Sequence, residues 1–518
     1  MDETNGNAAA FFVDRHLGKG CDDKPAFVEG TGAARQISYA ELASETDKMA
    51  DLYARHGINR EDRVAMLILD QLEFPVVFWG SLKAGVLPIA LNTLLATDVY
   101  DLIFRDSRAR ALIVSAELYP VVEPLLADNP YLTAVFVIGK EGIGTDIPAG
   151  CLSFADELAK CSPRPMLETL PDEPAFWLYS SGSTGQPKGV RHVHGSLKAT
   201  ADTYGAKVLK IQHEDVVFSV AKMFFAYGLG NAMTFPMSVG ATTLLLAGRP
   251  TPASAFDILE RLKPTIFCGV PTLYAAMVHD LEKRATPPVL ALRRCISAGE
   301  ALPEEVGKRW KSFTGVDILD GVGSTEMLHI FLSNRIDDLV YGTSGIAVPG
   351  YELRLVDETG AEVEPGEVGE LLVKGASAAA DYWNQRDRSR TTFEGEWTRT
   401  GDKYEKTMTG RLVYCGRTDD MFKVSGIWVS PFEIEQALVS HPAVLEAAVV
   451  PERDEEDLEK PKAFVVLKPG EAADVVGDLK EYVKEKIGKW KYPRSIEVVP
   501  DLPKTATGKI QRFKLRAS

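Results

Sequence analysis

The chain has 518 residues, 45% hydrophobic and 25% charged, the composition of an ordinary globular protein of two to four domains or subdomains. Its net charge of −15, from 58 Lys and Arg against 73 Asp and Glu, argues against nucleic acid or an anionic membrane as the main partner. Six cysteines without a CxxC pair, an N-terminus without a signal-peptide pattern and no apolar run of membrane-spanning length point to a reduced, cytoplasmic protein.

In chain order, Leu42, Met49, Leu52 and Tyr53 fall on one face of a helix that Gly57 is placed to end. Residues 63–69 then read as a buried strand, 73–83 as a helix, and 86–91, 111–115 and 133–138 as further strands. Apolar strands alternating with helices predict βαβ units and parallel sheets. A second round places strands at 174–179, 216–221, 241–246 and 265–269, with a helix at 253–262. After about Gly345 the texture changes to short β segments, such as 351–356 and 369–373, and predicts a β-rich subdomain. From Arg417 on the chain reads as a separate α+β unit. Ser430-Pro-Phe-Glu433 predicts a capping box at a helix start, strands follow at 444–450 and 463–467, and a helix near 473–487. The expected fold is therefore α/β: a large N-terminal domain of layered sheets and helices, residues 1–418, and a small α+β C-terminal domain, residues 419–518. The tail is basic from Lys484 onward, a pattern that most often means a solvated face.

Five stretches carry chemistry. Tyr179–Gly189 (YSSGSTGQPKG) follows an apolar strand and combines glycines, hydroxyls and one lysine, as a phosphate cradle requires. Its composition is also that of a flexible linker, and it lacks Walker A spacing. Ser297-Ala-Gly-Glu300 offers small residues against which a flat ring can lie, or simply the first turn of a helix. Gly321-Val-Gly-Ser-Thr-Glu326 puts a hydroxyl and a carboxylate after a glycine turn, which suits phosphate plus Mg²⁺. In Thr398–Asp402 (TRTGD) the carboxylate can accept from two ribose hydroxyls, and in Pro503–Lys509 (PKTATGK) a lysine ends a turn. Each of the last three is singly consistent with an ordinary polar turn. His192 and His194 resemble a metal pair only superficially, since no third ligand is evident.

Together, in this order and over the whole length, these stretches resemble the acyl- and aryl-CoA synthetase branch of the adenylate-forming superfamily. Lys222–Asn231 (KMFFAYGLGN) and Glu326–Phe331 (EMLHIF) narrow the resemblance to the benzoate–CoA ligases. Phe225 stands where fatty-acyl and 4-coumarate relatives have histidine, a departure from the wider pattern. The resemblance implies the adenylate-forming fold with a mobile C-terminal domain, and a two-step reaction. A carboxylate displaces pyrophosphate from ATP to give an acyl-adenylate, and the thiol of coenzyme A then displaces AMP. It implies that Ser181, Ser183, Thr184 and Lys188 hold the outer phosphates, that Gly299, Glu300, Asp320 and Gly321 belong to the nucleotide site, and that Asp402 and Arg417 bind ribose. Thr325 would contact the α-phosphate, Glu326 would ligate Mg²⁺, and Lys509 would bridge the attacking carboxylate and the α-phosphate. Asp419 is the implied hinge, and Lys423 and Gly426 would face the pantetheine of CoA. Ala226, Tyr227, Gly228, His329 and Ile330 are the expected lining of the acyl pocket, although plain core packing explains such residues as well. Benzoate is the expected acid, with 4-hydroxybenzoate or 2-aminobenzoate as alternatives. A homodimer, and a lysine acetyltransferase or deacetylase acting on Lys509, are further expectations. A P-loop kinase or ATPase and a non-catalytic binding protein of the same fold are the rival classes.

Overall fold

The computed structural model describes residues 6–32, 34–139, 147–181, 187–424, 427–454, 459–468, 470, 475–488, 491–504 and 510–516. The chain divides into two compact units, Met1–Leu353 with Val373–Thr398, and Arg354–Leu372 with Arg399–Ser518.

The first unit is built on two large sheets. One runs, from edge to edge, Asp381–Tyr382, Pro187–Val193, Pro174–Ser181, Leu87–Ala90, Arg63–Leu67, Ala111–Ser115, Ala134–Ile138 and Leu152–Ser153. Its neighbours are parallel except at the Pro187–Val193 edge. The second has at its centre the parallel strands Thr242–Leu245, Val216–Ser219, Ile266–Gly269, Arg294–Ser297 and Ile318–Gly323, with antiparallel strands at both edges. The apolar runs read from the sequence as strands are these buried centres, since a strand covered on both faces has no polar side to show. The helices follow the same logic. Tyr39–Arg55 is capped by a reciprocal Ser38–Glu41 box and buries Leu42, Met49, Leu52 and Tyr53. Gly57, with φ of +68°, takes the left-handed turn just beyond it.

In the second unit, Val444–Arg453, Glu459–Leu467 and Ser495–Val498 form a three-stranded sheet. Helices Pro431–Val439 and Val476–Ile487 cover one face through Ile434, Leu438, Leu479 and Val483. Ser430 caps the first of these helices, its Oγ accepting the Glu433 amide at 3.1 Å. The reciprocal half of the expected capping box is replaced: the Glu433 carboxylate pairs with Lys491 at 2.7 Å. A second correction concerns 321–326. The glycines do not make a turn but lie inside the strand Ile318–Gly323. A Cβ at Gly323 would sit 2.5 Å from the His329 carbonyl, so glycine is what lets the neighbouring backbone come this close.

Candidate active site

Parallel strands collect chemistry at their carboxyl ends, because the loops leaving them converge there. In the second sheet Arg294–Ser297 runs into Ala298-Gly299-Glu300, and Ile318–Gly323 into Ser324-Thr325-Glu326. Gly299 has φ of +98° and open space where a Cβ would lie, as close approach by a flat ring requires. Glu300 is not in a helical first turn, since the next helix starts at Glu304.

Around Glu326 the structure assembles a compact charge cluster. Pro174–Ser181 and Pro187–Val193 are antiparallel, with Ser180 opposite Lys188. The described ends of the glycine-rich stretch, 179–181 and 187–189, thus lie on paired strands, and the next helix begins only at His194. Ser183 and Thr184 lie outside the described residues. Lys188 donates to Glu326 Oε1 at 2.8 Å and to the Tyr382 hydroxyl at 2.9 Å, and Tyr382 donates to the same Glu326 oxygen at 2.7 Å. Burial works to raise the Glu326 pKa, but the Lys188 ammonium and the Tyr382 hydroxyl outweigh it and hold the carboxyl below its ordinary value. The loop itself is pinned by its backbone. His192 Nε2 donates to the Thr325 carbonyl at 2.8 Å, and the Ala379 amide to the Glu326 carbonyl at 2.7 Å. His192 is fully buried and its pKa is pushed down to about 4, so the imidazole is neutral and serves as a donor.

Asp320 is the other buried acid of this region. Its side chain is buried and Oδ1 has no hydrogen-bond partner. Burial raises its pKa to about 8. Such an acceptor, beside the loop that carries Gly299, is suited to a donor on a bound ring.

The expected acyl-pocket residues come together as an aromatic wall. The His329 ring lies 5.1 Å from Tyr204, 5.7 Å from Tyr227 and 4.5 Å from Phe235. His329 Nε2 donates to the Tyr227 carbonyl at 3.3 Å, and the Tyr227 hydroxyl to the Gly269 carbonyl at 3.1 Å. His329 Nδ1 is buried without a partner, and burial drives its pKa down to about 3. Ala226 begins a short helix, and Ile330 is buried against Gly321. The space above Gly228 is filled by the Lys222 carbonyl, 2.0 Å from where a Cβ would stand. Lys222 in turn donates to the carbonyls of Leu246 and Gly248, which anchors this stretch.

TRTGD is part of the strand Trp397–Lys406 rather than a turn. Asp402 faces Arg417 across the ladder, 3.0 Å apart. The Asp402 amide donates to Thr400 Oγ1 at 3.1 Å. Asp419 is exposed in the turn after Leu412–Arg417. The Lys423 backbone lies in the short strand Phe422–Val424, while Gly426 and Lys509 lie outside the described residues.

Residues 13–383 match the AMP-binding enzyme family, and residues 433–509 its C-terminal domain. The chain belongs to that family. As an AMP-binding enzyme it is 52% identical over 518 residues to a benzoate–CoA ligase of Thauera aromatica, covering 99% of this chain and 96% of that protein. It is 50% identical over 517 residues to a 4-hydroxybenzoate–CoA/benzoate–CoA ligase of Rhodopseudomonas palustris, covering 98% and 94%. A crystal structure of a benzoate CoA ligase from Burkholderia xenovorans is similar with a TM-score of 0.88 at 46% identity, covering 98% of this chain and 99% of that one. The AMP-binding enzyme thus has the adenylate-forming fold expected from its sequence. Two residues of the Glu326 cluster were not legible there. Tyr382 sits in a short strand whose pairing with Pro187–Val193 brings it to Lys188, and only that long-range register reveals it. His192 attracted notice only as a doubtful metal ligand, whereas it holds the Thr325 carbonyl. Among the described residues no group of three or more His, Cys, Asp or Glu is arranged to hold a metal ion.

Proposed function

We propose that this AMP-binding enzyme is an acid–thiol ligase that joins benzoate to coenzyme A with ATP, releasing AMP and pyrophosphate. The observation that carries the reading is the half-buried Lys188–Glu326–Tyr382 cluster at the strand ends. Lys188 would take phosphate oxygens of ATP, and Glu326 would hold Mg²⁺. One anionic oxygen donor backed by a tyrosine suits Mg²⁺, which is held by one or two carboxylates plus substrate phosphates. Bound there, the ion neutralises phosphate charge. Asp320 Oδ1 would accept from the adenine amine, and Asp402 with Arg417 would take ribose.

In the first step a benzoate oxygen attacks the α-phosphorus and the bond to the β-phosphate oxygen breaks, so pyrophosphate leaves. Thr325 and Lys509 stabilise charge on the α-phosphate, and no enzyme nucleophile is needed. In the second step CoA sulfur attacks the acyl carbon, AMP departs and the thiol proton is lost. Domains 1–418 and 419–518, turning about Asp419, would present Lys509 for the first step and Lys423 with Gly426 for the second. Acylation of Lys509 would remove its charge and stop adenylation. The ring would lie against Ala226, Tyr227, Gly228, Ile330 and His329, whose unpartnered Nδ1 leaves one acceptor for a ring substituent. That acceptor, and the named activity of the 50% identical relative, favour 4-hydroxybenzoate as a second acid. A cytoplasmic location follows from the substrates; among the described residues no helix is long and apolar enough to cross a membrane.

Incubation with ATP, Mg²⁺, CoA and a panel of substituted benzoates tests the proposal. Benzoyl-CoA, AMP and pyrophosphate in equal amounts are expected. ADP plus phosphate would place the protein among kinases or ATPases, and no pyrophosphate with any acid would make it a binding protein.

A further inference from the structure

Near its end the chain is tied back to the turn at Asp419–Asp420 by two arginines. Helix Arg512–Leu515 and its cap place Arg512 and Arg516 one turn apart on the same side. Arg516 Nη2 donates to Asp420 Oδ1 at 2.7 Å and to the Asp419 carbonyl at 3.1 Å. Arg512 Nη1 lies 3.5 Å from the other Asp420 oxygen, while its Nε and Nη2 fork onto Glu435 at 2.9 and 2.7 Å. Glu435 is fixed in turn: its side chain is 7% exposed and its Oε1 accepts the Val449 amide at 2.8 Å. On the other side of the turn, the Asp420 and Met421 amides both donate to the Arg417 carbonyl at 3.0 Å.

Packing already secures the tail, since Ile510 and Leu515 lie on the cluster of Ala448, Val450, Phe464 and Leu502. The arginines add direction, because guanidinium–carboxylate contacts fix orientation as well as distance. What they grip is specific. The Asp419 carbonyl and the Asp420 amide belong to one planar peptide group, so Arg516 locks the plane that follows the Asp419 torsions to segment 510–516. Lys504 and Ile510, which bracket 505–509, are themselves bridged.

We propose that Asp420 is a positioning residue for the adenylation step: through Arg512 and Arg516 it makes the peptide plane after Asp419 and the segment following Lys509 one rigid body. A torsion at Asp419 then carries segment 510–516 with it. The inference rests on the roles proposed above for Asp419 and Lys509.

The test compares Asp420→Asn, Arg516→Ala, Arg516→Lys and Lys509→Ala in two assays: pyrophosphate release from benzoate and ATP without CoA, and thioester formation from preformed benzoyl-adenylate and CoA. Asp420→Asn and Arg516→Ala are expected to slow adenylation about tenfold, as small misplacements of a catalytic group do. The KM for ATP should hold, thioester formation should change little, and Arg516→Lys should recover part of the loss. Lys509→Ala with normal adenylation would remove the lysine reading and this proposal with it. Impaired Lys509→Ala alongside normal Asp420→Asn and Arg516→Ala would overturn the clamp alone. Equal losses in both half-reactions, with a lowered melting temperature, would reduce the clamp to a structural role.

Discussion

The two sides of the first unit's site are held by different forces. On the proposed phosphate side Lys188, Glu326 and Tyr382 exchange three short polar contacts, and His192 and Ala379 fix the backbone of the loop. On the proposed acyl side Tyr204, Tyr227, Phe235 and His329 meet ring to ring, with one hydrogen bond from the histidine. Polar contacts place charge where a reaction needs it. Ring packing sets a volume and leaves the choice of acid to shape.

If that division is right, substitutions on the two sides should separate chemistry from selectivity. The largest effect is expected for Glu326→Gln. Losing the carboxylate that opposes Lys188 should cut pyrophosphate release by a hundredfold or more, roughly the scale of removing one preorganised electrostatic group, with much less change in which benzoates are preferred. A shifted acid preference would break the comparison. His329→Ala should act the other way, opening a cavity and costing about 2–3 kcal/mol of stability in denaturant titration. The ratio of kcat/KM for benzoate and 4-hydroxybenzoate should change while the KM for ATP stays put.

A smaller effect sits at Asp320. Its folded pKa of about 8 is raised, so its contribution to stability is present at low pH and lost as pH climbs from the ordinary carboxyl range through 8. Buried His192 and His329, with pKa values lowered to about 4 and 3, act oppositely, losing stability as pH falls below the ordinary histidine range. Between pH 6.5 and 8 only the aspartate of these three matters, with a slope of up to about 1.4 kcal/mol per pH unit. Asp320→Asn should flatten that slope in urea unfolding of the free enzyme, and an unchanged slope would mean the carboxyl is ionised. The smallest change is Tyr382→Phe, which removes one hydroxyl donor to Glu326. A loss of about 1–1.5 kcal/mol in adenylation, roughly tenfold, should appear in single-turnover assays.

The same contrast explains what could be read from the chain. Buried parallel strands announce themselves as apolar runs, so 63–69, 111–115 and 265–269 were legible to within a residue or two. The polar motifs were legible as groups, since Lys188, Thr325 and Glu326 are neighbours in short patterned stretches. Local reading failed where a long-range partner decides the conformation. Gly321, Gly323 and Asp402 look like turn residues but lie in strands, because strands pairing beside them pull the backbone straight. Glu433 leaves its cap for Lys491, 58 residues away. Tyr382 and the ring contacts of His329 depend on registers and packing that no window of sequence contains.

Gly228 bears on how this enzyme could be altered. Any side chain there would collide with the Lys222 carbonyl, and that backbone is the very one Lys222 secures through Leu246 and Gly248. Position 228, inside the short helix Ala226–Leu229, is consequently intolerant to substitution. A library aimed at new aromatic acids should hold Gly228 constant and start at half-buried Ala226, since Ile330 and His329 are packed against Gly321 and Gly230.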